Sequence, residues 1–268
     1  MTAKLHRVHI PNVGEALISY EGGTPYQADD VQKYPLGTLL RLGGRTFAYA
    51  KASGTQIPDV GSQIGSVQHV ANVSVQANYA AGVKAITITT TDTDGAGGDG
   101  AIAADELVGG YVVVFPAASN HAFVRQITSN TYVIASGTHV HTMTIGLDSP
   151  TPIAITTSDK AECMASPYLN VITASSEARS IVGVPTVAAT TGQFFWLQTW
   201  GPCWIATSAE CGAGSNDRNV VFRYNGSGDE CAYAGTYNSA KAQQAGHILT
   251  NGAGTGQGAP FIMLQITP

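Results

Sequence analysis

Residue groupings able to do chemistry are few in this 268-residue chain, and spacing tests most of them. TDTDGAGGDG, residues 91–100, holds Asp92, Asp94 and Asp99 much as a calcium loop would. A twelve-residue loop counted from Asp92 needs an oxygen ligand at its fifth position and a bidentate Glu at its twelfth. Ala96 and Ala103 stand there, so a surface hairpin loop is expected instead. THVHT, residues 138–142, places His139 and His141 two apart. A strand would turn both to one face, where they could share a metal with His121 as a third ligand. Two histidines on a strand serve equally well as polar surface, and no metal is expected.

Glycoside chemistry needs two facing carboxyls, and acids do fall in turns: Asp105 with Glu106, Asp229 with Glu230, and Asp148, Asp159 and Glu162. Adjacent residues on a strand point to opposite faces, so neither doublet makes a dyad by itself. The chain has no G-x-S-x-G. The GSG at 226–228 lacks the strand-turn-helix setting of a nucleophile elbow. GAGTGQG at 252–258 lacks the lysine of a phosphate loop. The four cysteines, Cys163, Cys203, Cys211 and Cys231, form no C-x-x-C and have no histidine at zinc-ligand spacing. Buried free thiols are expected, with a disulfide from Cys203 to Cys211 or Cys231 as the alternative. No catalytic residue and no cofactor follow from these patterns.

The remaining concentration of chemistry is aromatic. GQFFWLQTWGPCWI, residues 192–205, holds all three tryptophans and two of the seven phenylalanines. As a strand it puts Phe195, Leu197 and Thr199 on one face and Phe194, Trp196, Gln198 and Trp200 on the other. A strand apolar on both faces is covered on both. A carbohydrate platform would instead favour isolated aromatics on loops beside acids and amides. Core or interface burial is therefore expected for Phe194, Phe195, Trp196, Trp200 and Trp204. The same holds for Phe47 and Tyr49, which share a face of RTFAYAKA. Gly201-Pro202 is expected to end the aromatic run by breaking the ladder.

The elements that must position these residues read as strands. TLLRLGGRTFAYAKA alternates on either side of Gly43-Gly44 and predicts a hairpin. VKAITITTT, DELVGGYVVVFP, HAFVRQITSN, TYVIAS, THVHTMTIGL and PIAITT follow at intervals of about ten residues, as in barrels and sandwiches. A short helix is expected only around SAKAQQAGHIL, residues 239–249. The expected fold is mainly β: an antiparallel β-barrel or β-sandwich with long Gly/Ser/Thr-rich loops and little helix. Residues 1–33 read as an extended N-terminal arm and 34–205 as the main β domain. Residues 206–268 read as a Gly-rich C-terminal β region that returns a terminal strand, FIMLQI.

Composition narrows the function classes. Charged residues make up 12% of the chain, about half the usual soluble share, and hydrophobic residues 44%. A net charge of −5 with scattered Lys and Arg argues against a nucleic-acid partner. No run of eighteen apolar residues offers a membrane span, and the N-terminus lacks an apolar signal region. We read it as the uncleaved start of a protein that folds in a cytoplasm.

Five motifs occur in a recognisable order: YPLGTLLRLGGRTFAYAKA (34–52), ELVGGYVVVF with HAFVRQI (106–127), LDSPTPIAIT (147–156), SPYLNVI (166–172) and VGVPTVAATTGQFFWLQTWGPCWI (182–205). Together with the terminal strand they resemble a group of tailed-bacteriophage virion proteins found beside the major capsid protein, the capsid decoration or cement proteins. The resemblance implies a structural virion protein on the capsid surface, assembled in the host cytoplasm. It would stabilise the shell by protein-protein burial at capsomer joints. The implied partners are the major capsid protein and the chain itself as a homotrimer, with no nucleic acid or membrane. The pattern carries no catalytic residues. The alternatives are a head-fibre or tail-associated adhesin binding cell-surface glycans and, further off, a glycan-active enzyme. A major capsid protein would need a long spine helix that this chain does not offer.

Overall fold

Leu42 and Arg45 face each other across Gly43 and Gly44, so two residues connect Leu39–Leu42 to Arg45–Lys51. Gly43 has φ +61°, the left-handed conformation that a tight hairpin matched to strand twist requires. From this hairpin the fold can be followed outward. The computed structural model describes residues 5–10, 14–19, 24–65, 69–95, 99–118, 121–134, 141–173, 179–206, 219–222, 231–233, 243–250 and 261–267.

The chain opens with β1 (Leu5–Ile10), β2 (Gly14–Ser19), β3 (Leu39–Leu42), β4 (Arg45–Lys51) and β5 (Ser62–Ile64). It continues through β6 (Val70–Ser74), β7 (Ala85–Thr90), β8 (Tyr111–Phe115), β9 (Phe123–Asn130), β10 (His141–Leu147) and β11 (Lys160–Met164). Next come β12 (Val171–Thr173), β13 (Ile181–Pro185), β14 (Phe194–Trp204) and β15 (Asn219–Phe222). β16 (Cys231–Tyr233), β17 (Gln244–Thr250) and β18 (Phe261–Gln265) complete it. The fold is mainly β and antiparallel, with no helix among the described residues. None of the described residues forms a helix long and apolar enough to cross a membrane.

Two compact units divide the chain: residues 1–65 with 168–268, and residues 66–167. The second unit falls inside the 34–205 stretch expected as one domain. Sequence does not announce the division, because strands of the same β-branched composition run on both sides of it. In the first unit the sheet runs β16-β15-β17-β18-β14-β4-β3-β1-β2, with β13, β5 and β12 branching from β14. In the second the order is β6-β11-β8-β9-β10-β7. Its two ends meet through a Val75–Ile88 bridge and a bond from Gln76 N to Thr87 O at 2.9 Å, closing a six-stranded barrel. Val70, Ile86, Ile88, Val112, Val114 and Ile145 fill the interior at 0% exposure. Each such burial contributes about 1.5–3 kcal/mol.

Three expectations need correcting. Residues 244–249, expected within a helix, belong to β17, which lies between β15 and β18. Fully buried Ala245 belongs to that sheet's core, so cross-strand packing outweighs helix propensity. Residues 239–242 lie outside the described residues. TYVIAS and PIAITT supply single-residue bridges, Val133 to Ile102 and Ile155 to Tyr79, in place of strands. Apart from these corrections, the stretch expected as an extended arm carries β1 and β2. β1 pairs with all of β2, and it joins the sheet at Val8 opposite Leu40 and His9 opposite Leu39.

The third correction concerns Gly201-Pro202, which does not end the aromatic strand. β14 runs on to Trp204, paired with β18 from Trp200 opposite Gln265 to Trp204 opposite Phe261. On its other edge β4 has already stopped, and Pro202 Cδ lies 4.0 Å from where a Gly44 side chain would begin. The missing N–H of proline therefore faces an edge without a ladder, where proline is tolerated. Gln198 Nε2 donates to the Pro202 carbonyl at 2.9 Å, satisfying the acceptor that no strand reaches.

Candidate functional site

β14 pairs with β4 from Phe194 opposite Lys51 to Gln198 opposite Phe47, then slips so that Trp200 faces Thr46. Thr199 is the extra residue, a bulge that resets which side chains face inward. Its hydroxyl donates to Thr267 O at 2.8 Å, and its carbonyl accepts from Ile266 N at 3.0 Å. The bulge divides the aromatic segment into two parts with different surroundings.

Before the bulge both faces are covered by the chain itself. Phe195 and Leu197 pack with Ala50, Val171, Val182 and Ala189. On the opposite face Phe194 and Trp196 pack with Phe47, Tyr49 and Leu40, and Tyr34 and Leu36 lie over them. Trp196 is 1% exposed, and Phe47, Tyr49 and Phe195 are 0%. The Tyr49 and Trp196 rings are 4.9 Å apart, and Tyr34 is 5.4 Å from Trp196.

A strap over residues 24–38 secures this face. Asp29 and Phe194 exchange backbone bonds of 2.8 Å in both directions, and Gly37 N donates to Tyr49 O at 2.9 Å. Lys33 N donates to the Tyr49 hydroxyl at 3.1 Å. Lys33 Nζ pairs with Asp29 at 2.6 Å, and Gln193 Nε2 holds Asp30 at 2.9 Å. Burial pushes the Tyr49 phenol up to about 12 and raises Tyr34 as well. The cluster is a sealed core with its hydroxyl spent on backbone.

Past the bulge Cys203 and Ile205 turn inward to Val184, Val220, Phe222, Ile262 and Leu264. Trp200, Pro202 and Trp204 then share the outward face; both tryptophans are half-buried and Pro202 is exposed. Across the β14–β18 ladder, Met263 faces Pro202 and Phe261, 43% exposed, faces Trp204. The result is an apolar strip on the sheet surface, with Trp200 and Trp204 set at its two ends. Alternation alone assigned Trp196 and Trp200 to one environment, and the bulge at Thr199 separates them.

The other candidates have structural work. Asp159 accepts from Ala117 N at 2.7 Å and Thr156 N at 2.8 Å. Asp148 accepts from Gln126 N at 3.0 Å and Asp105 from Asn130 N at 3.2 Å. Glu106 accepts from Ala103 N at 2.7 Å, and Asp94 from Thr91 N at 2.6 Å. Each carboxylate ties a turn to its neighbour. Among the described residues no three His, Cys, Asp or Glu side chains are grouped to hold a metal ion. His141 opens β10, His121 precedes β9, and His139 lies outside the described residues, as do Asp229, Glu230 and the two glycine-rich stretches. Cys163 and Cys203 carry buried free thiols, and burial raises both, Cys203 to about 12. Cys211 lies outside the described residues, and Cys231 is described by its backbone alone.

Comparison with protein-family models, curated proteins and solved structures finds no match for this chain.

Proposed function

We propose that this chain is a structural virion protein of the capsid decoration type, binding the outside of a tailed-phage head and stabilising the shell by burying apolar surface at capsomer joints. The motif series at 34–52, 106–127, 147–156, 166–172 and 182–205 supports the family, and one structural observation supports the mode. The outward strip of Trp200, Pro202 and Trp204 on β14, with Met263 and Phe261 on β18, places large apolar groups on a sheet face. Exposed apolar groups gathered in this way mark interaction surfaces more often than solvated ones. Tryptophan is also among the residues that dominate interface energetics. An interface of standard size buries about 1,600 Å² in total, and repetition over a symmetric shell multiplies each contact.

On this reading the strip meets the major capsid protein, with a homotrimer around each local three-fold axis as the arrangement in the virion. Purified chain added to preformed, expanded heads should saturate them at a fixed stoichiometry, and heads without it should lose DNA at lower temperature or salt. The adhesin reading predicts the opposite pair of results: binding to arrayed glycans, with no affinity for heads.

A further inference from the structure

His69 stands immediately before β6 and is 2% exposed. It joins three other segments of the six-stranded unit. Its backbone N donates to Cys163 O on β11 at 3.0 Å, and its carbonyl accepts from Gly95 N, in the connection after β7, at 2.6 Å. Ring Nδ1 accepts from Ala165 N, just past β11, at 3.4 Å. Ring Nε2 has no hydrogen-bond partner among the described residues and lies 4.0 Å from Glu106 Oε1, in the turn before β8.

This geometry fixes the tautomer. A backbone N–H can only donate, so Nδ1 is unprotonated and the neutral ring carries its proton on Nε2. A second proton has one place to go. On Nδ1 it would meet the Ala165 N–H donor to donor, break that bond, and leave a cation where water does not reach. The titratable groups on the packed segments are Lys160, Glu162, Cys163, Asp92, Asp94, Asp99, Asp105 and Glu106. Lys160 Nζ donates to the Ser74 hydroxyl at 2.8 Å, and Asp99 accepts from Ala101 N at 3.1 Å. Cys163 is held neutral by burial, and Glu162 alternates to the outer face of β11. Asp94 and Asp105 accept from backbone amides, and Asp92 makes no bond to the ring. Among the described residues Glu106 alone opposes the ring, at a distance too long for a hydrogen bond and with its side chain 19% exposed.

We propose that His69 is an acid-responsive latch of the six-stranded unit: neutral, it holds β6, β11 and the connection after β7 together, and protonated it releases them into local opening. Burial disfavours the charged ring more than Glu106 favours it, so the folded site takes up a proton less readily than the unfolded chain. The latch is therefore closed above the ordinary histidine range and weakens as pH falls through it. A ring that takes up its proton less readily when closed raises the opening equilibrium at pH 5.5 by up to about ten-fold, and hardly at all at pH 7.5.

Amide hydrogen exchange on the full chain at pH 7.5 and 5.5, corrected for intrinsic rates, reads this directly. Protection of Gly95 and Ala165 should fall in acid, by up to about ten-fold. In His69→Gln the side-chain oxygen can accept from Ala165 N and the amide can face Glu106 without titrating, so the difference between the two pH values should vanish. Equal acid sensitivity in the two proteins, or none in the wild type, would overturn the latch. If H69Q does not fold, the His69 Cε1 proton resonance of the wild type decides. A ring that titrates below the free-histidine value in the protected state supports the proposal, and a ring titrating near that value with Ala165 still protected refutes it.

Discussion

Tyr34 meets Tyr49 edge to face, with ring centroids 5.2 Å apart and planes at 89°, so a residue of the strap closes over a ring of the central sheet. The relationship ties the segment that follows the N-terminal hairpin to the aromatic cluster of the first unit. It also means the aromatic core needs no partner on that face.

Tyr34→Ala should therefore act on stability. Loss of its ring from Tyr49 and Trp196 leaves a gap over two buried aromatics and should cost about 2 kcal/mol. Urea denaturation followed by tryptophan fluorescence measures it. A change within a few tenths of a kcal/mol would mean that the strap does not seal the cluster.

Two truncations separate the hairpin from the strap. Removing residues 1–22 takes away β1 and β2, which reach the sheet through two residue pairs only, and should leave the circular dichroism of the remainder unchanged. Removing residues 1–33 also takes Asp29 and Lys33 from Phe194 and Tyr49, and should lower the melting temperature by several degrees more. Equal melting temperatures for the two would contradict the strap's role.

Tyr49 gives an alkaline signature. Its phenol is raised from 10 to about 12 in the folded protein, chiefly by burial. The folded state thus favours the neutral form, and the stabilisation is complete below pH 10 and lost as pH rises from 10 towards 12. Tyr49→Phe should lose about 1 kcal/mol at neutral pH for the unmet Lys33 N–H, then decline less steeply than wild type above pH 10. Parallel stability curves for the two proteins would count against this environment.

Gly201→Ala and Gly43→Ala test the crossing at the end of β4. Gly201 has φ +94°, and a Cβ there would fall 2.1 Å from Gly44 O. Gly43 has φ +61° with nothing within 4 Å of its Cβ position. The first substitution should cost about 3 kcal/mol or more and the second about 1 kcal/mol, measured by thermal unfolding. Similar costs would show that β14 and the hairpin turn are not pressed together.

Much of this was legible because its signals are local. Gly43-Gly44 between alternating residues names the hairpin, and FFWLQ, residues 194–198, names a strand covered on both faces. The bulge is not legible: a threonine inside a strand looks alike whether it pairs or protrudes, and it is the register against β4, with bonds to Ile266 and Thr267, that marks Thr199 as the extra residue. Pro202 misled for a related reason, since whether proline breaks a ladder depends on which edge is already free. β17 was misjudged because Ala and Gln favour helices, while its burial between β15 and β18 is a tertiary fact. His69 carried no sequence signal, since Cys163, Ala165 and Glu106 reach it from distant segments. The outward strip was half visible: its tryptophans were, and their cross-strand partners Met263 and Phe261 were not.

The most direct test is head binding by a doubly substituted strip. Pro202→Glu with Phe261→Glu places two charges on exposed positions of the β14–β18 face, leaving the inward residues of both strands in place. We expect wild-type chain to saturate expanded heads at a fixed stoichiometry. The variant, with unchanged circular dichroism, should bind at least ten-fold more weakly, because a buried unpaired charge costs more than 1.4 kcal/mol. Wild-type chain that ignores heads, or a folded variant that binds them equally well, would contradict the proposed role of this surface.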